Sequence, residues 1–266
     1  MSAHYSWTFD PVVLIALIGA LALYLRRWRR ARAEAGAQAA SGWRLLSFLT
    51  GLAAMFVALV SPVDRLGDDL FVMHMTQHLL IVDAAAILLI LGLTKVLLRP
   101  VTRRIQGVER AVGPLAHPVA AVILYVGGMW IWHVPAFYDG ALRHAAVHVL
   151  EHLTFASIGL LYWWHLLSPI RSRHRLGGLG PVAYMGTTKV MLGLLGIVLT
   201  FSPSVLYDFY AHGHRYWGLS ALSDQAVGGA LMAIEQALVM GAALAFLFIR
   251  MLGESEREEQ RAERYA

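Results

Sequence analysis

Seven stretches of this 266-residue chain are apolar for long enough to cross a hydrocarbon core, which leaves few folds open to it. Crossing takes about 20 helical residues. The stretches fall at residues 11–28, 43–61, 71–93, 115–133, 145–167, 182–201 and 225–250. In lipid each backbone N–H and C=O must be satisfied within the segment, so such runs predict helices. With 58% apolar and only 15% charged residues, the composition suits a membrane protein better than a soluble one. The predicted fold class is all-α: one seven-helix transmembrane domain over residues 1–266. No soluble domain, internal repeat or low-complexity segment interrupts it. Residues 31–42 read as a short linker, and the tail from Glu254 as a mixed-charge helical end.

The loops set an orientation. Arg26, Arg27, Arg29, Arg30, Arg32 and Arg44 flank the first connection, and Lys95, Arg99, Arg103, Arg104 and Arg110 the third. Arg171, Arg173 and Arg175 lie in the fifth, and Arg250, Arg257, Arg261 and Arg264 follow the last apolar run. The other connections hold only Arg65, Arg143 and Arg215, while Lys189 sits inside a predicted helix. Positive charge marks cytoplasmic loops, so the N-terminus is predicted outside and the C-terminus in the cytoplasm. The first helix is not a cleavable signal, because its charges follow the apolar run. A sequence pI near 9.7 could suggest nucleic acid. These clusters between apolar runs instead point to a lipid bilayer and to no nucleic-acid partner. With no cysteine, a metal site would have to use His, Met, Asp or Glu.

In this topology nine of the twelve histidines face outward, and only His117, His165 and His174 belong to the inner side. His144-Ala-Ala-Val-His148-Val-Leu-Glu151-His152 forms a polar stripe on the outer half of the fifth helix, since steps of four, seven and eight return to one face. Ionisable groups at that depth are costly unless they bind something or each other. His74 and His78 make a matching i, i+4 pair on the third helix, also entering from outside. Met75 lies near that face and His133 ends the fourth helix on the same side. Imidazole and thioether together favour copper, particularly Cu(I), over magnesium or calcium. The plainer alternative is a set of interfacial histidines bonded to backbone or water. His148-x-x-Glu151-His152 also spells the motif of inverted zinc proteases, with Glu151 as general base. No third ligand follows at a suitable spacing, so Glu151 is read instead as accepting a hydrogen bond from a liganding imidazole.

Deeper in the bilayer lie Asp83, Lys189 and Glu235. A structural ion pair or triad is the economical reading, and a proton or cation path the sharper one. Asp83 falls about 140° from His78 on an ideal helix, so it is not expected to share the metal. Gly228 and Gly229 suggest close packing of the seventh helix, and Met232 a core position or a soft ligand. Trp130, Trp132, Tyr138 and Tyr210 read as an outer aromatic belt, and Trp163 and Trp164 as an inner one. Asp139 is expected to orient His133 or cap the next segment.

Several stretches recur in a familiar order: Ser61-Pro62, His74-Met-Thr-Gln-His78, Trp132-His-Val-Pro-Ala-Phe-Tyr-Asp-Gly-Ala-Leu142, His148-Val-Leu-Glu-His-Leu-Thr-Phe155, Tyr162-Trp-Trp164, Ser202-Pro-Ser-Val-Leu-Tyr207 with Tyr210, and Asp224-Gln-Ala-Val-Gly-Gly-Ala-Leu-Met232. Over residues 44–250 the chain resembles the CtaG-like family of cytochrome c oxidase assembly factors, bacterial membrane proteins linked to the caa-type oxidase. The resemblance implies a seven-helix protein of the cell membrane that helps make active oxidase by delivering copper. It implies a histidine site on His74, His78, His133, His148 and His152, with Asp224 nearby. Ala233 stands where a tryptophan would be expected, and Asp83 and Lys189 gain no role from the resemblance. The expected function is therefore copper binding at the outer face, without catalytic turnover. The partner would be an oxidase subunit or another copper chaperone. A metal- or proton-coupled transporter using Asp83, Lys189 and Glu235, or a haem-binding membrane protein, are the alternatives.

Overall fold

The computed structural model describes residues 5–265 except Arg171, Arg173, Arg175 and His214. Those three arginines, assigned to the fifth connection above, and His4 and His214, two of the outward histidines, lie outside the described residues. Helix α1 spans Pro11–Ala39, α2 Gly42–Val60, and α3 Phe71–Leu91. A helix of 15 residues, α4 (Pro118–Trp132), bends by 73° into α5 (Pro135–Arg143). Then come α6 (Ala145–Leu167), α7 (Gly180–Phe201) and the long α8 (Ala221–Tyr265). Six helices are long and apolar enough to cross a membrane, and the α4–α5 pair makes a seventh if counted as one span. The protein is thus an all-α, multi-pass membrane protein, with no strand among the described residues.

Two boundaries depart from expectation. The segment read as a linker is mostly helical: α1 continues to Ala39, broken only at Gly36, where φ is 76°. Its Ala, Arg, Glu and Gln are strong helix formers, and the positive φ falls on the residue that tolerates it. The fourth span ends at Trp132, within a residue of its expected end, but the chain beyond it turns into a second helix. Pro135 cannot continue that helix and holds Val134 extended, at φ −64° and ψ 127°. Pro135 then starts α5 at its first turn.

Helix α3 is the axis of the bundle. Of its apolar window 61% is buried inside the protein, against 6% for α1. It packs on α2, α6 and α8. Both of its ends are held by other helices. The Asp224 carboxylate of α8 accepts from Phe71 N (2.7 Å) and Val72 N (3.0 Å), the first free donors of α3. At the far end the Arg44 guanidinium donates to the carbonyls of Leu91 (2.6 Å) and Leu93 (3.1 Å). A carboxylate at the N-terminus and a cation at the C-terminus also oppose the helix dipole. Between them Gln77 donates to Ala58 O and Asp64, and Ser47 to Leu88 O.

A π-helical turn, Leu80–Ala85, lies in the middle of α3. One extra residue per turn pushes the Val82 carbonyl towards α6, where it meets Gly159; a Cβ there would overlap that oxygen. Gly228 of α8 serves similarly beneath the Phe71 ring. Where α7 meets α8, the Cβ of Ala233 lies 3.1 Å from the point a Gly196 side chain would occupy, so the contact takes small residues on both sides.

The aromatic belts are corrected. Trp132, Tyr138, Tyr210 and Trp163 are buried among other side chains. Only Trp130 of the outer set is exposed, with its indole N–H on Met191 O (3.1 Å). Met232 lies in the apolar core. Asp139 accepts from the backbone N–H groups of Asp208 and Phe209, so it caps a short helical turn and leaves His133 to other partners.

Candidate metal centre

The N-terminal halves of α3 and α6 lie side by side at one end of the bundle. Each presents an i, i+4 histidine pair to the other. The ring centroids of His74 and His78 are 4.2 Å apart, as are those of His148 and His152. Across the helix pair His74 lies 5.3 Å from His148, and His78 5.7 Å from His152. Four imidazoles thus form a quadrilateral. Glu151 sits within it: its Oε2 is 3.7 Å from His74 Nε2 and 3.8 Å from His78 Nε2. One donor atom from each of His74, His148 and Glu151 lies within 4.8 Å of the others, close enough to share an ion.

His74, His78 and Glu151 are fully buried, and His148 and His152 partly so. Yet the Nε2 atoms of all four histidines, and both Glu151 oxygens, have no hydrogen-bond partner. Buried polar atoms are nearly always paired, because leaving one unpaired costs about 1–3 kcal/mol. Six unpaired donor atoms gathered in one buried enclosure make a candidate ligand set. Glu151, expected to support a liganding imidazole from behind, is in the middle and is itself a candidate ligand. His144 is exposed at the start of α6 and takes no part in the quadrilateral.

Aromatic rings enclose the cluster. Tyr138, from α5, packs 5.2 Å from His74, and Phe155 4.5 Å from His78. Phe71, Tyr207 and Tyr210 stack with Tyr138 into a buried cap. Tyr207 OH donates to His133 O (3.1 Å) and Tyr210 OH to Gly67 O (2.5 Å). Burial holds both phenols well above their usual range, so they stay neutral donors. This cap was not anticipated from sequence. The Phe-Tyr-Asp and Leu-Tyr-Asp-Phe-Tyr segments are its visible trace in the sequence.

His133 stands apart from the quadrilateral. Its Nδ1 is 2.6 Å from Met129 O and its Nε2 3.4 Å from Met75 Sδ. Asp224, grouped above with the site, acts as the trans cap of α3 and reaches the cluster only by fixing the turn that carries His74.

The deeper charges do not form the expected triad. No salt bridge joins Lys189 to Asp83 or Glu235. Asp83 instead accepts from neutral donors: Tyr125 OH and Trp163 Nε1 (2.7 Å each) and Gln236 Nε2 (3.0 Å). Gln236 Nε2 also lies 3.0 Å from Glu235 Oε2, linking the two carboxyl groups. The 140° offset assumed an unbroken α-helix. In a π turn residues five apart stack, so Asp83 swings towards α6, the helix that His78 also faces.

An uncharacterized protein of Mycobacterium leprae is 25% identical over 284 aligned positions, covering 98% of this chain and 41% of the relative. Uncharacterized proteins of Mycobacterium bovis and Mycobacterium tuberculosis are each 28% identical over 243, covering 85% of this chain and 36% of theirs. The chain therefore spans about two-fifths of the length of the curated relatives it matches. No solved structure matches. The family model for the cytochrome c oxidase caa3 assembly factor matches residues 22–254, which takes in α2 to α7, much of α1 and α8, and the whole histidine cluster. The chain belongs to the cytochrome c oxidase caa3 assembly factor family.

Proposed function

We propose that the protein holds copper, as Cu(I), at the outer face of the cell membrane and passes it to an oxidase subunit or to another copper chaperone during oxidase biogenesis. One observation carries this reading: donor atoms of His74, His78, His148 and Glu151 gather in one buried enclosure, and their Nε2 atoms and carboxylate oxygens have no hydrogen-bond partner. The side rests on the arginine-rich loops, which put the opposite ends of α3 and α6 in the cytoplasm. With no cysteine, exchangeable imidazole, carboxylate and thioether ligands suit an ion that must leave again. The ion is cargo, and no turnover is proposed. Glu151 lies between the imidazoles, where a porphyrin would need open space, so an ion is favoured over haem. The linked carboxyls of Asp83 and Glu235 keep a proton-coupled transporter as the second reading.

Metal analysis of purified protein beside His78→Ala/His152→Ala tests the proposal. Copper retained by the wild type and lost from the double variant supports it. Equal copper in both would sink it. Copper uptake into proteoliposomes that Lys189→Met abolishes would favour the transporter.

A further inference from the structure

His133 and Met75 face each other with no proton between them. The Nδ1 of His133 lies 2.6 Å from the Met129 carbonyl, which can only accept, so Nδ1 carries the hydrogen. In a neutral imidazole Nε2 is then a bare lone pair, and it points at the Met75 thioether 3.4 Å away. An imidazolium would instead put a charge among Met129, Met75 and Tyr138 with no carboxylate beside it, and buried charge without a partner is expensive. Met75 is fully enclosed and His133 nearly so, so solvent satisfies neither lone pair. Nitrogen and sulfur lone pairs that converge away from water are the donor set of a soft monovalent cation.

We propose that Met75 Sδ and His133 Nε2 form a second site, selective for Cu(I) or Ag(I), beside the histidine–glutamate cluster. It rests on the reading of that cluster as a copper position and gives the ion an adjoining place to stand. Two donors 3.4 Å apart would hold such an ion from one side, leaving the other side open for transfer. The tautomer is fixed by the fold: His133 ends α4, so its Nδ1 meets the carbonyl four residues back, and Tyr207 holds the His133 carbonyl. Met75 follows His74 directly, so the two sites share one turn of α3.

Anaerobic titration of the full chain in detergent with Ag(I), followed by X-ray absorption at the silver edge, tests this. The wild type should take up two ions, one with a sulfur neighbour. Met75→Leu should lose one ion and the sulfur signal, and His78→Ala/His152→Ala should lose the other ion and keep the sulfur. Two ions in Met75→Leu, or no sulfur neighbour in the wild type, would overturn the second site while leaving the cluster standing. An unchanged double variant would instead remove the cluster. Selenomethionine-labelled wild type gives a readout free of folding effects: a selenium neighbour is expected, and its absence overturns the proposal.

Discussion

Asp224 offers the sharpest test of how the site is built. Read from sequence it sits near the histidines as a proton-accepting neighbour; in the fold it caps the helix that carries them. Its two oxygens accept from Phe71 N and Val72 N at 2.7 and 3.0 Å, in a buried position. Loss of an N-cap costs about 1 kcal/mol, up to 2. Stranding a buried N–H adds about 1–3 kcal/mol, and the lost charge at a helix N-terminus about 0.3–1 kcal/mol. These terms overlap, so Asp224→Ala should destabilise by roughly 2–4 kcal/mol. Asp224→Asn keeps one acceptor and should lose about 1 kcal/mol. Thermal unfolding in detergent, followed by tryptophan fluorescence, would rank the three proteins. The first turn of α3 contains His74, so copper content should fall in the same order. If Asp224→Ala and Asp224→Asn lose copper equally while unfolding like the wild type, Asp224 acts on the site directly and the capping account is wrong.

Three further outcomes follow from the geometry. Gly159→Ala drives a methyl into the Val82 carbonyl of the π turn and should cost about 1–3 kcal/mol or more. Gly193→Ala on α7 meets nothing within 4 Å and should gain up to about 1 kcal/mol; equal unfolding midpoints for the two would refute the packing argument. Glu151→Gln should weaken Cu(I) binding at least tenfold in chelator competition, with Ag(I) following, since it removes the cluster's charge; unchanged affinity would exclude the carboxylate as a ligand. Asp68 is pushed up to about 6, by burial first and then by Asp64, from an unfolded value of about 3.9. The folded state therefore binds this proton more tightly, and stability from Asp68 grows as pH falls from about 6 to about 4. With half the side chain in solvent the effect is screened to under about 1 kcal/mol. Asp68→Asn should raise the unfolding midpoint slightly at pH 7.5 and not at pH 4, and the reverse order would contradict the burial cause.

How much of this was legible follows from what periodicity encodes. Seven apolar runs predict seven crossings, because lipid leaves the backbone no other solution, and the i, i+4 spacing places His74/His78 and His148/His152 on their faces. Depth counted along each helix pairs them correctly. Spacing cannot say what a face meets, however. Glu151 shares a stripe with its histidines in any register, and only the approach of α3 puts it among four rings. The π turn is equally silent: Leu80–Ala85 is ordinary apolar sequence, yet it turns Asp83 towards Trp163 and Tyr125. Trp163 and Tyr138 were read as belt residues because Trp and Tyr favour interfaces. Their polar atoms and large rings are equally at home beside a buried carboxylate or over a histidine cluster, and composition does not distinguish the two uses.

Charge gives the cluster a preference that ligand type alone does not. Imidazoles that ligate a metal must be neutral, so the four rings add nothing to the charge of the site, and Glu151 supplies its one negative charge. A monovalent ion then leaves the enclosure neutral. A divalent ion leaves a net positive charge among Tyr138, Phe155 and Phe71, and an unpaired charge in a low-dielectric site is costly. Asp83 lies outside that enclosure and is held by three other partners, on α4, α6 and α8. One carboxylate within four imidazoles therefore favours Cu(I) over Cu(II) or Zn(II) at the cluster through electrostatics, while the thioether of Met75 favours it through softness at its own site beside His133. The two effects are separable: Glu151→Gln should narrow the preference for monovalent over divalent ions at the cluster, while Met75→Leu should leave that preference unchanged there.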